Sequence, residues 1–304
     1  MQKLSLLNKE FAICDLPFIL LDENFYSSIR REVNPERLRY LSEASRNLKL
    51  PSLFGKFSCD ADYLSTVDLF IKATEETRNR GMFLLKKLLP YFPNFDTFLD
   101  VGPGNGKITS WIGRKFKEVT LIDPVPQVLE NIQPKSYPSS TVLKKICRPF
   151  LETILPKNYF DFILLSHVIY HFPQEKWINA IESAMYALKP EGTLAVVINS
   201  GLDREKLGNN FNGKTHSIES FIHQLSRTNK KVEVFLSKES FYAKDLTTML
   251  HICGLHLHDT NGKAPKEELE KYIESNFSLG NNSYKMEIYQ YFIVIKNELT
   301  KNSY

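Results

Sequence analysis

The sequence predicts an α/β fold: a seven-stranded, mostly parallel sheet with helices on both faces and an antiparallel last strand. Three observations predict it. From Phe95 onward, apolar runs of strand length alternate with amphipathic helical segments. The first strand breaks into glycines at alternate positions and continues as a helix, in "FLDVGPGNGKITSWI", Phe98 to Ile112. The late run "YQYFIVI" is nearly continuous in apolar character, as a strand buried on both faces should be.

The elements follow in order. Residues 1 to 60 read as an irregular, partly helical extension placed to fold over the site as a lid, and 61–304 as one domain. Within the extension, Asn34 is a candidate N-cap and Pro35 follows it, which suits a helix start. "ADYLSTVDLFIKATEETRNRGMFLLKKLLPYF" reads as helix, with Leu64, Val67, Phe70 and Ile71 at helical spacing. Strands are expected at 96–102, 118–123, 140–146, 160–167 and 192–200, and helices at 105–116, 125–132 and 174–188. The last helix carries Trp177, Ile181, Ala184, Met185 and Leu188 on one stripe, and "LKPEGTL" ends it sharply. Residues 201–237 read as a polar insert on the substrate side. A helix at 244–254 and strands at 255–259 and 286–296 complete the pattern, the last running antiparallel between its neighbours.

Composition narrows the function. Hydrophobic residues at 42% and charged residues at 24% suit a globular domain with a full core. The net charge is +4, with Lys and Arg interleaved among Glu and Asp, so no basic stripe points to nucleic acid. The N-terminal apolar runs are broken by Lys3, Lys9, Glu10 and Asp15, which fits neither a secretory signal nor a membrane span. Cys14, Cys59, Cys147 and Cys253 lie too far apart in sequence for a metal knuckle or redox pair. Reduced thiols and a cytoplasmic location are expected. "HICGLHLHD" holds His251, Cys253, His256 and His258, but a helix end followed by a strand would not gather them, so no metal is expected.

In open parallel sheets the ligand sits at the carboxyl ends of the strands, where the strand order reverses. Gly102, Gly104 and Gly106 stand there, with Lys107 where a dinucleotide fingerprint needs its third small residue. A lysine there keeps the helix from packing close beneath a pyrophosphate. The G-x-x-x-x-G-K-[ST] phosphate loop is absent as well. The second strand ends in "LIDP", so Asp123 can accept two hydrogen bonds from a ribose diol. A ribose without a diphosphate fits S-adenosylmethionine, with S-adenosylhomocysteine as its product. Asp100, at the tip of the first strand, falls near the ligand's ammonium.

Taken together, the Rossmann-like sheet, both acidic residues, the "LKPEGTL" turn and the antiparallel finish resemble class I S-adenosylmethionine-dependent methyltransferases over about residues 60 to 297. Several stretches further resemble histamine N-methyltransferase-like small-molecule N-methyltransferases. They are "DYLSTVDLFIKATEETRNRGMFLLKKLLP", "VTLIDPVPQ", "YFDFILLSHVIYHF" and "YFIVIKN". The resemblance implies donor contacts from Gln127, beside Asp123, and from Ser166, at the end of the fourth strand. Cys147 and Arg148 occupy the tip where many relatives read the adenine amino group. Glu76 stands where the family holds the substrate's amine. His167 stands at the polar position after strand four, and Tyr170 and His171 match aromatics that line the pocket. The catalytic expectation is that His167 or His171 takes the amine proton.

The departures matter as much. Arg204 and Gly208 replace two pocket tryptophans, and Ile288 replaces a substrate-holding asparagine. Histamine itself is therefore not the expected acceptor. A small amine or amino-acid-like substrate is, and Arg204 could pair with a carboxylate on it. Rival classes are a nucleic-acid or protein methyltransferase and a non-catalytic binding protein of this fold. "SHVIYHF" lacks the Asn/Asp-Pro-Pro-Tyr turn used on base amines, and the intact donor residues argue against a decayed site. The sequence leaves the oligomeric state open.

Overall fold

The computed structural model describes residues 19–20, 33–48, 60–213, 217–259 and 262–297. Seven strands carry its sheet: β1 (Thr97–Val101), β2 (Glu118–Ile122), β3 (Val142–Ile146), β4 (Phe160–Ser166), β5 (Leu188–Ser200), β6 (Lys230–Ala243) and β7 (Ser283–Asn297). They lie in the order β6-β7-β5-β4-β1-β2-β3. Short strands at Ile19–Leu20 and Ser278–Gly280 pair with β6 and β7. β7 runs antiparallel to both of its neighbours, β5 and β6. The other pairs among the seven are parallel. The expected mostly parallel sheet with an inner antiparallel last strand is thus present.

Strand alternation sorts the apolar side chains onto two faces. Phe98, Phe162, Val197 and Phe292 pack beneath α3 (Glu76–Phe83) and α4 (Lys107–Gly113). Leu99, Ile163, Val196 and Ile293 pack beneath α6 (Trp177–Ala187) and α8 (Ile218–Ser226). Both faces are covered, so the central strands are apolar at nearly every position. A third apolar cluster joins the far ends of β6 and β7 to α1 (Pro35–Ser45), α2 (Asp60–Lys72), α9 (Leu246–Asp259) and α10 (Lys266–Asn276). Asn34 caps α1 as expected, its side chain accepting from the Glu36 amide at 2.9 Å. Most of the proposed lid lies outside the described residues.

Four sequence expectations need correction. The strand expected at 255–259 is the last part of α9. Its Leu-His alternation imitates a strand, but Leu250, Cys253 and Leu257 fall at helical spacing and fill the third cluster. His256 is buried there against the rings of Phe70 and Phe241. The seventh strand comes instead from the supposed polar insert, which folds as α7 (Leu202–Asn210), α8 and the start of β6. The long helix expected over Ala61 to Phe92 breaks at Ala73–Glu75. There the Tyr242 amide donates to the Ala73 carbonyl, Thr74 forms a bridge with Phe241, and the Thr74 hydroxyl accepts from the Glu76 amide. The break starts a new helix at Glu76 and turns that side chain inward. Finally, "LKPEG" is not a turn ahead of the strand but the beginning of β5.

Candidate active site

The turn after β1 carries the three glycines. Gly102, Gly104 and Gly106 have φ of +66°, +55° and +70°, a region that side chains with a Cβ rarely adopt. A Cβ at Gly104 would meet nothing within 4 Å, so the backbone there faces open space. Asp100 is 2% exposed. Its Oδ2 accepts from the Thr109 hydroxyl at 2.6 Å, while its Oδ1 has no hydrogen-bond partner among the described residues. Burial pushes the Asp100 carboxyl up to about 7, against the pull of Thr109 and Arg80. Asp123 follows β2. Its Oδ1 accepts from the Val125 amide at 2.8 Å, and burial raises its carboxyl above the ordinary value.

Other residues proposed for the donor surround this turn unevenly. Ser166 is half-buried at the end of β4, between the glycine turn and β5. Gln127, Cys147 and Arg148 are exposed, and the Cys147 thiol lies 3.7 Å from the Pro124 carbonyl, one residue past Asp123. His171 is also exposed, and its charge reaches Asp123 rather than Glu76.

A buried polar cluster occupies the neighbouring strand ends. Glu76 is 4% exposed and accepts from Gln290 at 2.6 Å, Asn199 at 3.0 Å and Arg80 at 3.1 Å. His167 Nε2 lies 2.8 Å from the same carboxylate. Burial alone would raise the Glu76 carboxyl, but His167, Arg80 and Asn199 outweigh it and bring it down to about 2. Burial and the Arg80 charge hold His167 below its ordinary value, so its ring is neutral at pH 7. The ionised carboxylate fixes the tautomer: Nε2–H donates to Glu76, and Nδ1 accepts from the Tyr170 hydroxyl at 3.0 Å. His167 has φ +55°, a conformation that costs about 1–3 kcal/mol in non-glycine residues and collects at functional sites. Arg204 donates to the Asn199 carbonyl and lies over the Tyr170 ring, 5.5 Å from its centre.

The structure therefore brings Glu76, His167, Tyr170 and Arg204 together. It adds Asn199, Gln290 and Arg80, which the sequence reading missed. Asn199 and Gln290 are register partners on β5 and β7. Their signal was an amide inside an apolar run, in "AVVINS" and "YQYFIVI". Ile288, aligned by sequence with a substrate-holding asparagine, is fully buried in the third apolar cluster instead.

A family model described as "Methyltransferase domain" matches residues 75–238, more than half of the chain. The chain belongs to this family. Similar solved structures include a candidate methyltransferase from Bacillus halodurans C-125, 14% identical, with a TM-score of 0.52 over 68% of this chain and 94% of that one. The YcgJ protein from Bacillus subtilis is 15% identical, with a TM-score of 0.51 over 72% of this chain and 99% of that one. Both share the fold. NodS, an N-methyltransferase from Bradyrhizobium japonicum WM9, is 14% identical, with a TM-score of 0.43 over 71% and 95% of the two chains. No curated protein matches the sequence.

S-adenosylmethionine is the methyl donor of this methyltransferase. The residues present fit it. The unpartnered Oδ1 of Asp100 suits an ammonium, the open backbone at Gly104 suits the methionine chain, and the Asp123 carboxylate retains acceptor capacity for a ribose. One consequence can be measured. A ligand ammonium beside Asp100 favours the ionised carboxylate and lowers its affinity for a proton. Binding of S-adenosylhomocysteine should therefore release a proton below about pH 7, and tighten as pH rises to that value. Titrations in buffers of different ionisation enthalpy check this; an affinity flat from pH 5 to 8 would remove the ammonium from Asp100.

Proposed function

We propose that this methyltransferase acts on the nitrogen of a small amine-bearing metabolite, as the sequence resemblance to histamine N-methyltransferase-like enzymes implies. The observation that carries the reading is the chain from buried Glu76 through half-buried His167 to Tyr170 beside the glycine turn. When bound, S-adenosylmethionine supplies an electrophilic methyl group on a sulfonium. The protein must hold the acceptor nitrogen in line with it, neutral and shielded from water.

An alkyl ammonium titrates near 10.4, so at pH 7 its proton must leave before attack. His167 Nδ1 is the acceptor, reached through the Tyr170 hydroxyl that already donates to it. The imidazolium that forms is stabilised by Glu76 on the other ring nitrogen. Glu76 also supplies the carboxylate that a cationic acceptor would pair with, in exchange for the Arg80 cation that now balances its charge. Its carboxylate already takes donors from Arg80, Asn199 and Gln290, so direct contact with the amine requires one of these to give way. Arg204, buried over the Tyr170 ring, adds a cation to the cluster and favours an acceptor that also carries a carboxylate.

A panel of amines and amino acids incubated with methyl-labelled S-adenosylmethionine tests the reading. Label on the nitrogen of a small amine supports it. Label found only in protein or nucleic acid, or on oxygen, contradicts it. Among the described residues no helix is long and apolar enough to cross a membrane, and the cytoplasmic reading rests on the sequence alone.

A further inference from the structure

Val168 joins the glycine turn to the His167–Tyr170 pair. It follows His167 in the chain, and its side chain sits on the backbone of Gly102. A Cβ at Gly102 would lie 2.8 Å from Val168 Cγ2 and 3.1 Å from its Cβ, so only a bare α-carbon lets the two segments come this close. Each segment is anchored on the side away from this contact. The Gly102 amide donates to the Ile122 carbonyl at 2.8 Å, which ties the turn to β2. The His167 amide donates to the Val197 carbonyl at 2.9 Å, which ties the loop to β5. The Val168 carbonyl accepts from the His171 amide at 3.0 Å and closes the turn that carries Tyr170. Val168 itself is half-buried and packs against the apolar cluster beneath α6. Two heavy atoms on its Cβ leave little freedom at χ1, so pressure on a γ-methyl reaches the backbone of Val168 and of His167 beside it.

We propose that Val168 is a positioning residue: its stiff, branched side chain, seated on Gly102, sets the separation between the methyl group of a donor held at the glycine turn and the His167–Tyr170 pair. The inference rests on the donor site at that turn and on the proposed acceptor role of the pair. Separation matters because a misplacement of about 1 Å can cost about 10²-fold in rate. The contact asks for a branch at Cβ, whereas apolar packing beneath α6 asks only for apolar bulk. These two demands can be set against each other by substitution.

Calorimetry with sinefungin and S-adenosylhomocysteine tests the inference without a known acceptor. Sinefungin carries an amine where the donor carries its methyl group, so that amine points at the acceptor cluster. S-adenosylhomocysteine has the same two ends and nothing at that place. Wild type should prefer sinefungin by about 10-fold or more, the scale of a charge-assisted hydrogen bond. Val168→Ala removes the contact, and Val168→Leu keeps the apolar bulk but moves the branch to Cγ. Both should lose most of that preference, with affinity for S-adenosylhomocysteine near wild type. Val168→Thr keeps the branched shape and should retain the preference. Thermal unfolding should rank the last two in the opposite order, with Val168→Leu closer to wild type than Val168→Thr, because packing alone favours the apolar side chain. An unchanged preference in Val168→Ala and Val168→Leu, an equal loss in Val168→Thr, or parallel weakening of both ligands overturns the role of Val168. A wild type that binds the two ligands equally removes the acceptor cluster from the methyl side instead, and the inference falls with it. If wild type binds neither ligand, the donor site at the glycine turn is what fails, and it takes the inference with it.

Discussion

Glu76→Gln is expected to destabilise the fold by about 3–5 kcal/mol, the cost of removing one partner from a buried ion pair. Glu76 is the only carboxylate hydrogen-bonded to Arg80 and His167 among the described residues, and Asn199 and Gln290 also turn their amides toward it. A neutral amide leaves the Arg80 cation uncompensated at 11% side-chain exposure. Thermal unfolding should register a fall in Tm of roughly 10 °C. The pH profile gives an independent check. The Glu76 carboxyl is held at about 2, below its ordinary 4.5, so it contributes stability that is complete above pH 4.5. That contribution is lost as pH falls through the interval down to about 2, and Glu76→Gln should flatten this part of the acid limb. A variant as stable as wild type at pH 7 and in acid would show that Glu76 is not the anion that neutralises the cluster.

The largest catalytic effect is expected at His167. His167→Asn should lower kcat on the acceptor amine by about 10²–10⁴-fold at neutral pH, the usual contribution of a positioned base. Asparagine tolerates the left-handed backbone found at this position, so the φ of +55° is preserved while the proton acceptor is lost. Affinity for S-adenosylhomocysteine should stay near wild type. The loss should lessen as pH rises toward the acceptor's own pKa, where the amine arrives already neutral. Equal loss at every pH would make His167 a structural support, and a normal kcat would place the base elsewhere.

Local chemistry made half of this molecule legible in its sequence. The glycine turn, Asp100 and Asp123 lie within one stretch of strand, turn, helix and strand, so spacing alone placed them. The central strands announced themselves because both of their faces are buried. β6 did not: "KKVEVFLSKESFYA" mixes buried apolar positions with Ser237, Glu239 and Ser240, all of which the sheet also buries. Glu239 accepts from Asn79 and Ser237, so Ser237, which read as the end of a polar insert, is an interior group bonded to a buried neighbour on its own strand. The acceptor cluster was hidden for a related reason. Asn199 and Gln290 meet only because β5 and β7 pair in one register, and Glu76 meets them only because the long helix breaks at Thr74. These are consequences of tertiary pairing over 91 and 123 residues of sequence, which no local pattern carries.

Calorimetric titration of S-adenosylhomocysteine into wild type and Asp123→Ala tests the donor site most directly. Wild type should bind with micromolar affinity, about −8 kcal/mol, and should not bind NAD. Asp123→Ala should weaken binding by about 1–3 kcal/mol through loss of the hydrogen bonds to the ribose. Equal affinity in the two proteins, or binding of NAD by wild type, would contradict the assignment of Asp123 and the glycine turn to S-adenosylmethionine.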